Sequence, residues 1–253
     1  VTVGRTPGKK VIVVSHERSG THFLMNTVAL NFGYVSFPYW NFDYELGLNF
    51  HSGLALKGYF RKAHDQRVLN IVKSHHDVGF FESWLDYLTS QFHVLYIVRD
   101  PRDVIASLSR ILNAFPWDEG PRLEKPAALM RAEPCFNMLR YQKQQMPTIL
   151  HRWKSHVTGW LALAKSIATI HVVRYEDLNL RFDGEIARLA KLFDETVDSP
   201  RRPPKSDKVI VPGAGEVGAS AVHYTSEDHQ WMRDVAGDVM DELGFGGEYG
   251  SNP

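Results

Sequence analysis

The sequence predicts one α/β domain over residues 1–253, a mostly parallel β-sheet with helices on both faces. Three observations predict it. Short apolar runs rich in β-branched residues recur along the chain, and stretches of helical periodicity separate them. Each run ends in a polar segment dense in reactive side chains, as expected where a ligand gathers at the carboxyl ends of parallel strands. The chain has 253 residues, 43% of them hydrophobic and 23% charged, which is enough for one large core and argues against disorder.

The elements follow in order. Val11, Ile12, Val13 and Val14 mark a strand over 10–15, and Thr21, with Phe23, Leu24, Val28 and Leu30, opens a helix over 21–31. A strand near 34–37 precedes a mixed region over 38–67, and Val68, Leu69, Ile71 and Val72 place a strand over 68–73. A helix over 79–90 leads to the strand 93–98, HVLYIV. Pro101 suits a first helical turn, so a helix follows over 102–113. A long irregular or partly helical segment, 114–150, is the size of a lid. Then come a helix over 151–166, a strand over 169–174, a helix over 181–193, a Pro- and Gly-rich loop over 195–224 and a helix over 226–242. There are no internal repeats and no low-complexity tract.

The strand ends carry the chemistry. Ser15-His16-Glu17-Arg18-Ser19-Gly20 joins a strand to a helix N-terminus, where free backbone N–H groups and the helix dipole favour an anion. It is not a Walker A loop, because it has one glycine and no Gly-Lys pair. Arg99 at the end of the third strong strand run and Ser107 two turns into the next helix could both reach one anion. Lys73-Ser74-His75-His76 ends the run between them, and a histidine suits proton removal near neutral pH.

Together these segments resemble the PAPS-dependent sulfotransferases of the cytosolic type. ERSGTHF stands where that family has P-K-S-G-T-[TS]-[WF], and RDPRDVIAS matches R-[ND]-P-[KR]-D-x-x-x-S. The resemblance implies a P-loop-like loop, Arg18, Ser19, Gly20, Thr21, His22 and Phe23, around the 5′-phosphosulfate of 3′-phosphoadenosine 5′-phosphosulfate (PAPS), with Arg99 and Ser107 on the 3′-phosphate. KSH resembles the family's K-[TS]-H element, which makes His75 the general base, favoured over His76 by its place in the motif. YEDL resembles Y-E-D-[LM], whose Tyr, here Tyr175, contacts adenine. WKSHVTGW, residues 153–160, resembles a helix of the family; packing is the expected role of Trp160, and that of Trp153 stays open.

The implied reaction is in-line sulfuryl transfer to a hydroxyl, leaving 3′,5′-ADP (PAP), with no metal. Arg18 replaces the usual loop Lys and would offset charge on the bridging oxygen, while Lys73 and the Ser19–Thr21 backbone would hold the non-bridging oxygens.

Lys208–Val211 followed by Gly213-Ala214-Gly215-Glu216-Val217-Gly218 spells a strand and G-x-G-x-x-G, the pattern of dinucleotide-binding folds. Only 35 residues follow Gly218, and they lack the second strand such a unit needs. The family's late R-K-G-x-x-G loop over the 3′-phosphate, followed by [FY]-T, fits better, with Gly215, Gly218, Tyr224 and Thr225 at its spacing. Gly213 and Ala214 stand where the family has Arg and Lys, and Ser220 where it has an aromatic. The missing grip could come from backbone N–H groups, Lys205 or Lys208.

Zero net charge argues against general nucleic-acid binding. One cysteine, no secretory h-region and no apolar run of membrane-spanning length point to a cytoplasmic protein that is not an integral membrane protein. No metal-binding motif is present. The expected partner is a small-molecule hydroxyl acceptor, aromatic, lipid-like or glycosylated, and a homodimer is compatible with this. Its pocket would draw on the aromatic stretch Tyr34–Phe60 and on 114–150, with Phe115, Trp117, Met130, Phe136 and Met138. Two rival readings remain, a P-loop-type kinase and an NAD- or nucleotide-binding module on the Gly213–Gly218 loop. Magnesium dependence would reveal the first and NAD binding the second.

Overall fold

A computed structural model describes residues 9–44, 52–66, 68–204 and 215–247. Five strands, β1 (Lys10–Ser15), β2 (Val35–Asn41), β3 (Asn70–Ser74), β4 (Phe92–Val98) and β5 (Ile170–Arg174), form one parallel sheet in the order β2-β3-β1-β4-β5. The chain runs outward from β1 to β2, returns through β3, then crosses to β4 on the other side. That reversal puts the switch point of the sheet at the carboxyl end of β1, where open α/β sheets bind ligands.

Helices cover both faces because successive strand residues point to opposite sides. Val11 and Val13 pack with Ile71, Leu95 and Ile97 against α1 (Thr21–Phe32), α7 (Tyr175–Leu180) and α8 (Phe182–Leu192). Ile12 and Val14 pack with Val72, Val94, Tyr96 and Val98 on the other face. That face is covered by α2 (Gly53–His64), α3 (Leu85–Gln91), α4 (Pro101–Ala114), α5 (Pro126–Arg131), α6 (Ile149–Ser166) and α9 (Ser226–Glu242). Among the described residues, no helix is long and apolar enough to cross a membrane.

Three elements differ from expectation. The helix expected over 79–90 begins as two 3-10 turns, Val78–Phe80 and Glu82–Trp84, and is α-helical only from Leu85. The Asp77 carboxylate accepts from Gly79 N at 3.0 Å and Trp84 Nε1 donates to Phe80 O at 3.0 Å, which holds the tight turns. Strand β2 runs on to Asn41, its pairing irregular between Val35 and Trp40, where Pro38 is tolerated because β2 is an edge strand. The helix expected over 181–193 is preceded by the short α7, which begins directly at the end of β5.

The aromatic stretch is largely core. Phe42, Tyr59 and Phe60 are buried with Phe81 and Trp84, whereas Phe37 is exposed and Tyr39 lies edge-on to His22. Phe50 and the proposed strand Lys208–Val211, with Lys205, Gly213 and Ala214, lie outside the described residues. Trp153 and Trp160 are both fully buried, so both are packing residues. Met130 and Met138 of the expected lid are core residues too, while Phe115 stacks on Trp117 and Phe136 is exposed.

Candidate active site

Strand register assembles the site. Val14 pairs with Ser74, so Ser15 and His75 lie one step further along β1 and β3. Asn41 pairs with Lys73, so Asp43, two residues on, lies beside His75. Val98 pairs with Arg174, so Arg99 meets Tyr175.

The loop after β1 is shaped for close backbone approach. Arg18 and Gly20 have φ of 66° and 98°, both left-handed. Gly20 opens α1 with no side-chain cap, and a Cβ on it would lie 2.4 Å from Cδ2 of Tyr175. Ser19 is buried and its Oγ has no protein partner among the described residues. Thr21 Oγ1 lies 2.7 Å from Ser15 Oγ. An uncapped helix start with an orphaned buried hydroxyl fits an anion such as a phosphate.

His75 sits at the same end of the sheet. Its Nδ1 is 2.9 Å from the carbonyl oxygen of Ser15, which can only accept, so Nδ1 carries the proton and Nε2 holds a lone pair. Burial, reinforced by Lys73 and opposed by Asp43 and Glu17, lowers its pKa to about 3, so the ring is neutral at physiological pH. Its backbone N–H donates to Asp43 Oδ1 at 2.7 Å, and Lys73 Nζ donates to Asp43 Oδ2. His76 points away into a cage of Phe42, Phe80 and Tyr141 and has no exposure.

A second layer holds this one. Tyr96 O–H donates to His156 Nδ1 at 3.0 Å, and His156 Nε2 donates to His75 O at 3.2 Å. Arg152 makes two bonds to Glu17, of 2.9 and 2.8 Å, and reaches His16 Nε2 at 2.7 Å. These charges hold the Glu17 carboxyl well below the usual carboxylate range despite its burial. The 136–141 turn lays Tyr141 edge-on to His75, 5.6 Å between ring centres.

At the far end, Arg99 lies 4.2 Å from the Tyr175 ring centre and donates to Asp103 at 3.1 Å and to Glu216 O at 3.2 Å, while its Nε has no partner among the described residues. Gly218 N donates to Asp103 Oδ2 at 3.1 Å, and Tyr175 O–H to Gly215 O at 2.6 Å. The Gly215–Gly218 turn is thus docked on Arg99 and Tyr175. Phe23 meets Tyr175 edge-on at 6.0 Å, while His22 is exposed beside Tyr39.

Several of the expected site residues also have partners within the protein. Arg18, expected at the bridging oxygen, donates from Nε to Ser107 Oγ at 2.9 Å, the residue expected at the 3′-phosphate. Burial, with Arg110 and Arg99 nearby, lowers its pKa to about 10, so it remains a cation. Lys73, expected to face the donor's oxygens, is paired with Asp43. Tyr224 and Thr225, expected at the nucleotide, have their hydroxyls engaged within the protein. Tyr224 donates to Arg102 O at 2.8 Å, and Thr225 caps α9 through Asp228. Asp43, Arg152, Tyr141 and His156 were not singled out in the sequence as site residues. An acid inside an aromatic run was the only local sign of Asp43.

Comparison with known proteins gives the family and the fold. Residues 8–207 match the Sulfotransferase domain family. A 3-alpha-hydroxysteroid sulfotransferase of Cavia porcellus is 28% identical over 206 residues, covering 79% of this chain. The chain spans 62% of that relative's length. The crystal structure of mouse sulfotransferase SULT7A1 complexed with PAP superposes with a TM-score of 0.67 at 16% identity, covering 94% of this chain and 86% of that one. Retinol dehydratase with retinol and PAP gives 0.57 at 17% identity, covering 93% and 83%. Its complex with androsterone and inactive cofactor PAP gives 0.56 at 17%, covering 93% and 82%.

Proposed function

The chain belongs to the sulfotransferase family, and on that premise we propose that it moves the sulfuryl group of PAPS to a hydroxyl of a small-molecule acceptor, with His75 as general base. The observation that carries this reading is the fixed tautomer of His75, whose neutral ring offers a lone pair on Nε2. The orphaned hydroxyl of Ser19 and the orphaned Nε of Arg99, at two separated places along the strand ends, fit a ligand with two anionic groups.

PAPS, when bound, supplies the sulfuryl group and a stable leaving nucleotide. The Ser19–Thr21 backbone would hold the 5′ end. Arg99 and Ser107, with Arg18 bonded to Ser107, would hold the 3′-phosphate, and Phe23 and Tyr175 would flank the base. His75 Nε2 would take the acceptor's hydroxyl proton as its oxygen bonds to sulfur and the sulfur–oxygen bond to the 5′-phosphate breaks, the electron pair leaving on 3′,5′-ADP, and the Lys73 cation would offset negative charge beside it. The relatives named for a hydroxysteroid and found with androsterone or retinol favour an alcohol on an apolar carrier as acceptor.

The test is to incubate the protein with PAPS and a panel of steroid, retinoid, phenol and sugar hydroxyls, reading 3′,5′-ADP release. Release that depends on one acceptor class supports the proposal. Stabilisation against heat by ATP with magnesium or by NAD, and none by 3′,5′-ADP, overturns it.

A further inference from the structure

We infer that Asp43 is a positioning residue for the transfer, acting through His75 and Lys73; this rests on the function proposed above. Asp43 lies in the turn after β2, and its side chain has no solvent exposure. A bare carboxylate there would cost several kcal/mol, so its partners must be specific. Its two oxygens divide the work. Oδ1 takes the backbone N–H of His75 at 2.7 Å, and Oδ2 takes the Lys73 ammonium. The same Oδ2 stands 3.8 Å from His75 Nε2, the atom that must receive the acceptor's proton.

His75 is therefore located at both ends, by Asp43 at its backbone N–H and by Ser15 O at Nδ1. The carboxylate also favours a proton arriving on the ring, against Lys73 and burial. Among the described residues, the other titratable groups around the ring are Glu17 from the β1 loop, Tyr141 from the 136–141 turn, His156 from α6, and its neighbour His76. Lys73 gains a fixed direction from the same carboxylate. An ion pair serving stability alone has no need of the His75 backbone or of a place beside Nε2.

The experiment compares wild type, Asp43→Asn, Asp43→Glu, His75→Ala and the double variant Asp43→Asn/His75→Ala. It reads kcat, acceptor KM and the Kd of 3′,5′-ADP. Asp43→Asn is expected to lower kcat by about 10²-fold, the scale of a small misplacement of a catalytic group, with acceptor KM and nucleotide Kd retained. Asp43→Glu, which keeps the charge, recovers part of the loss. In the His75→Ala background, Asp43→Asn has a smaller effect than in wild type, because the part that acts through His75 is already gone and only the part through Lys73 is left.

Wild-type kcat in folded Asp43→Asn, or full additivity of the two substitutions, overturns the assignment. Should Asp43→Asn fail to fold, Asp43→Glu decides: a kcat loss with Kd kept supports the role, and a wild-type kcat refutes it. A wild-type protein that releases no 3′,5′-ADP from PAPS with any acceptor overturns the proposed function itself, and the assignment with it.

Discussion

The Nε–H of Arg18 is donated to the hydroxyl oxygen of Ser107 at 2.9 Å, joining the anion loop after β1 to the helix after β4 across 89 residues of sequence. The two loops that would grip the ends of one nucleotide are thereby a single hydrogen-bonded unit. A hydrogen bond to a charged group contributes about 1.5–3 kcal/mol, so Ser107→Ala should weaken 3′,5′-ADP binding by about tenfold or more. Titration calorimetry measures this, and an unchanged Kd would remove Ser107 from the nucleotide site. Arg18→Lys should bind less tightly than wild type as well, because an ammonium lacks the planar fork that can serve Ser107 and a phosphate together.

Gly20 meets two constraints at once. Its φ of 98° is strained for any L side chain, and Tyr175 occupies the space a Cβ would need. Gly20→Ala should cost more than about 1 kcal/mol of stability and abolish measurable 3′,5′-ADP binding, since relief requires moving either the loop or the tyrosine. Chemical denaturation together with a thermal shift on adding nucleotide would separate the two losses. A variant of wild-type stability and affinity would show that the loop is not held as described.

His75→Ala should reduce kcat by about 10²–10⁴-fold and leave 3′,5′-ADP affinity intact. A base works in its neutral form, above its pKa, and that pKa is lowered to about 3. The wild-type kcat should therefore stay level from about pH 8 down to about pH 6, where an unperturbed histidine would already be mostly protonated. A rate that halves near pH 6.5 in stopped assays would contradict the buried, neutral imidazole.

Acid should destabilise this fold earlier than its carboxylates alone would require. His16 and His76 are held to about 4 and His75 to about 3 by burial, against 6.5 in the unfolded chain. Below 6.5 the unfolded state binds more protons, so stability falls as pH drops through that value. Glu17 behaves as a depressed carboxylate. Its contribution is complete above 4.5 and is lost as pH falls below that value. Calorimetry should show a Tm that is flat above pH 7 and declines from about 6.5, with a second decline below about 4.5. Glu17→Gln should reduce the second decline, leaving the part due to Asp43, and cost about 3–5 kcal/mol at neutral pH, because Arg152 is left buried without a carboxylate.

Much of the fold was legible in the residues themselves. A strand buried on both faces must be apolar throughout, so β1, β3, β4 and β5 stand out as runs, and their helices follow by period. The loops around Arg18, His75, Arg99 and Tyr175 were legible for a related reason. Each is a contiguous segment at a strand end, where local spacing and place in the fold coincide. The choice of His75 over His76 rests on motif position; the fold turns the two rings to different surroundings, His75 onto Ser15 O and His76 against Tyr141.

Partnerships between distant segments were not legible, since nothing local encodes them. Lys73 reads as a free cation until the register of β2 on β3 brings Asp43 to it. Glu17 reads as a loop acid until α6 delivers Arg152. Nothing near Tyr224 in sequence names Arg102 O as the acceptor of its hydroxyl; the packing of its segment against α4 decides that. The amino-acid sequence by itself determined the strand–helix alternation and the place of the loop after β1 and of His75 at strand ends, because these depend on patterns within about ten residues. Tertiary structure alone decided which charges are paired, which hydroxyls are already engaged and which carboxylate stands beside His75. Those outcomes depend on strand register and burial, and both arise only when separate parts of the chain come together.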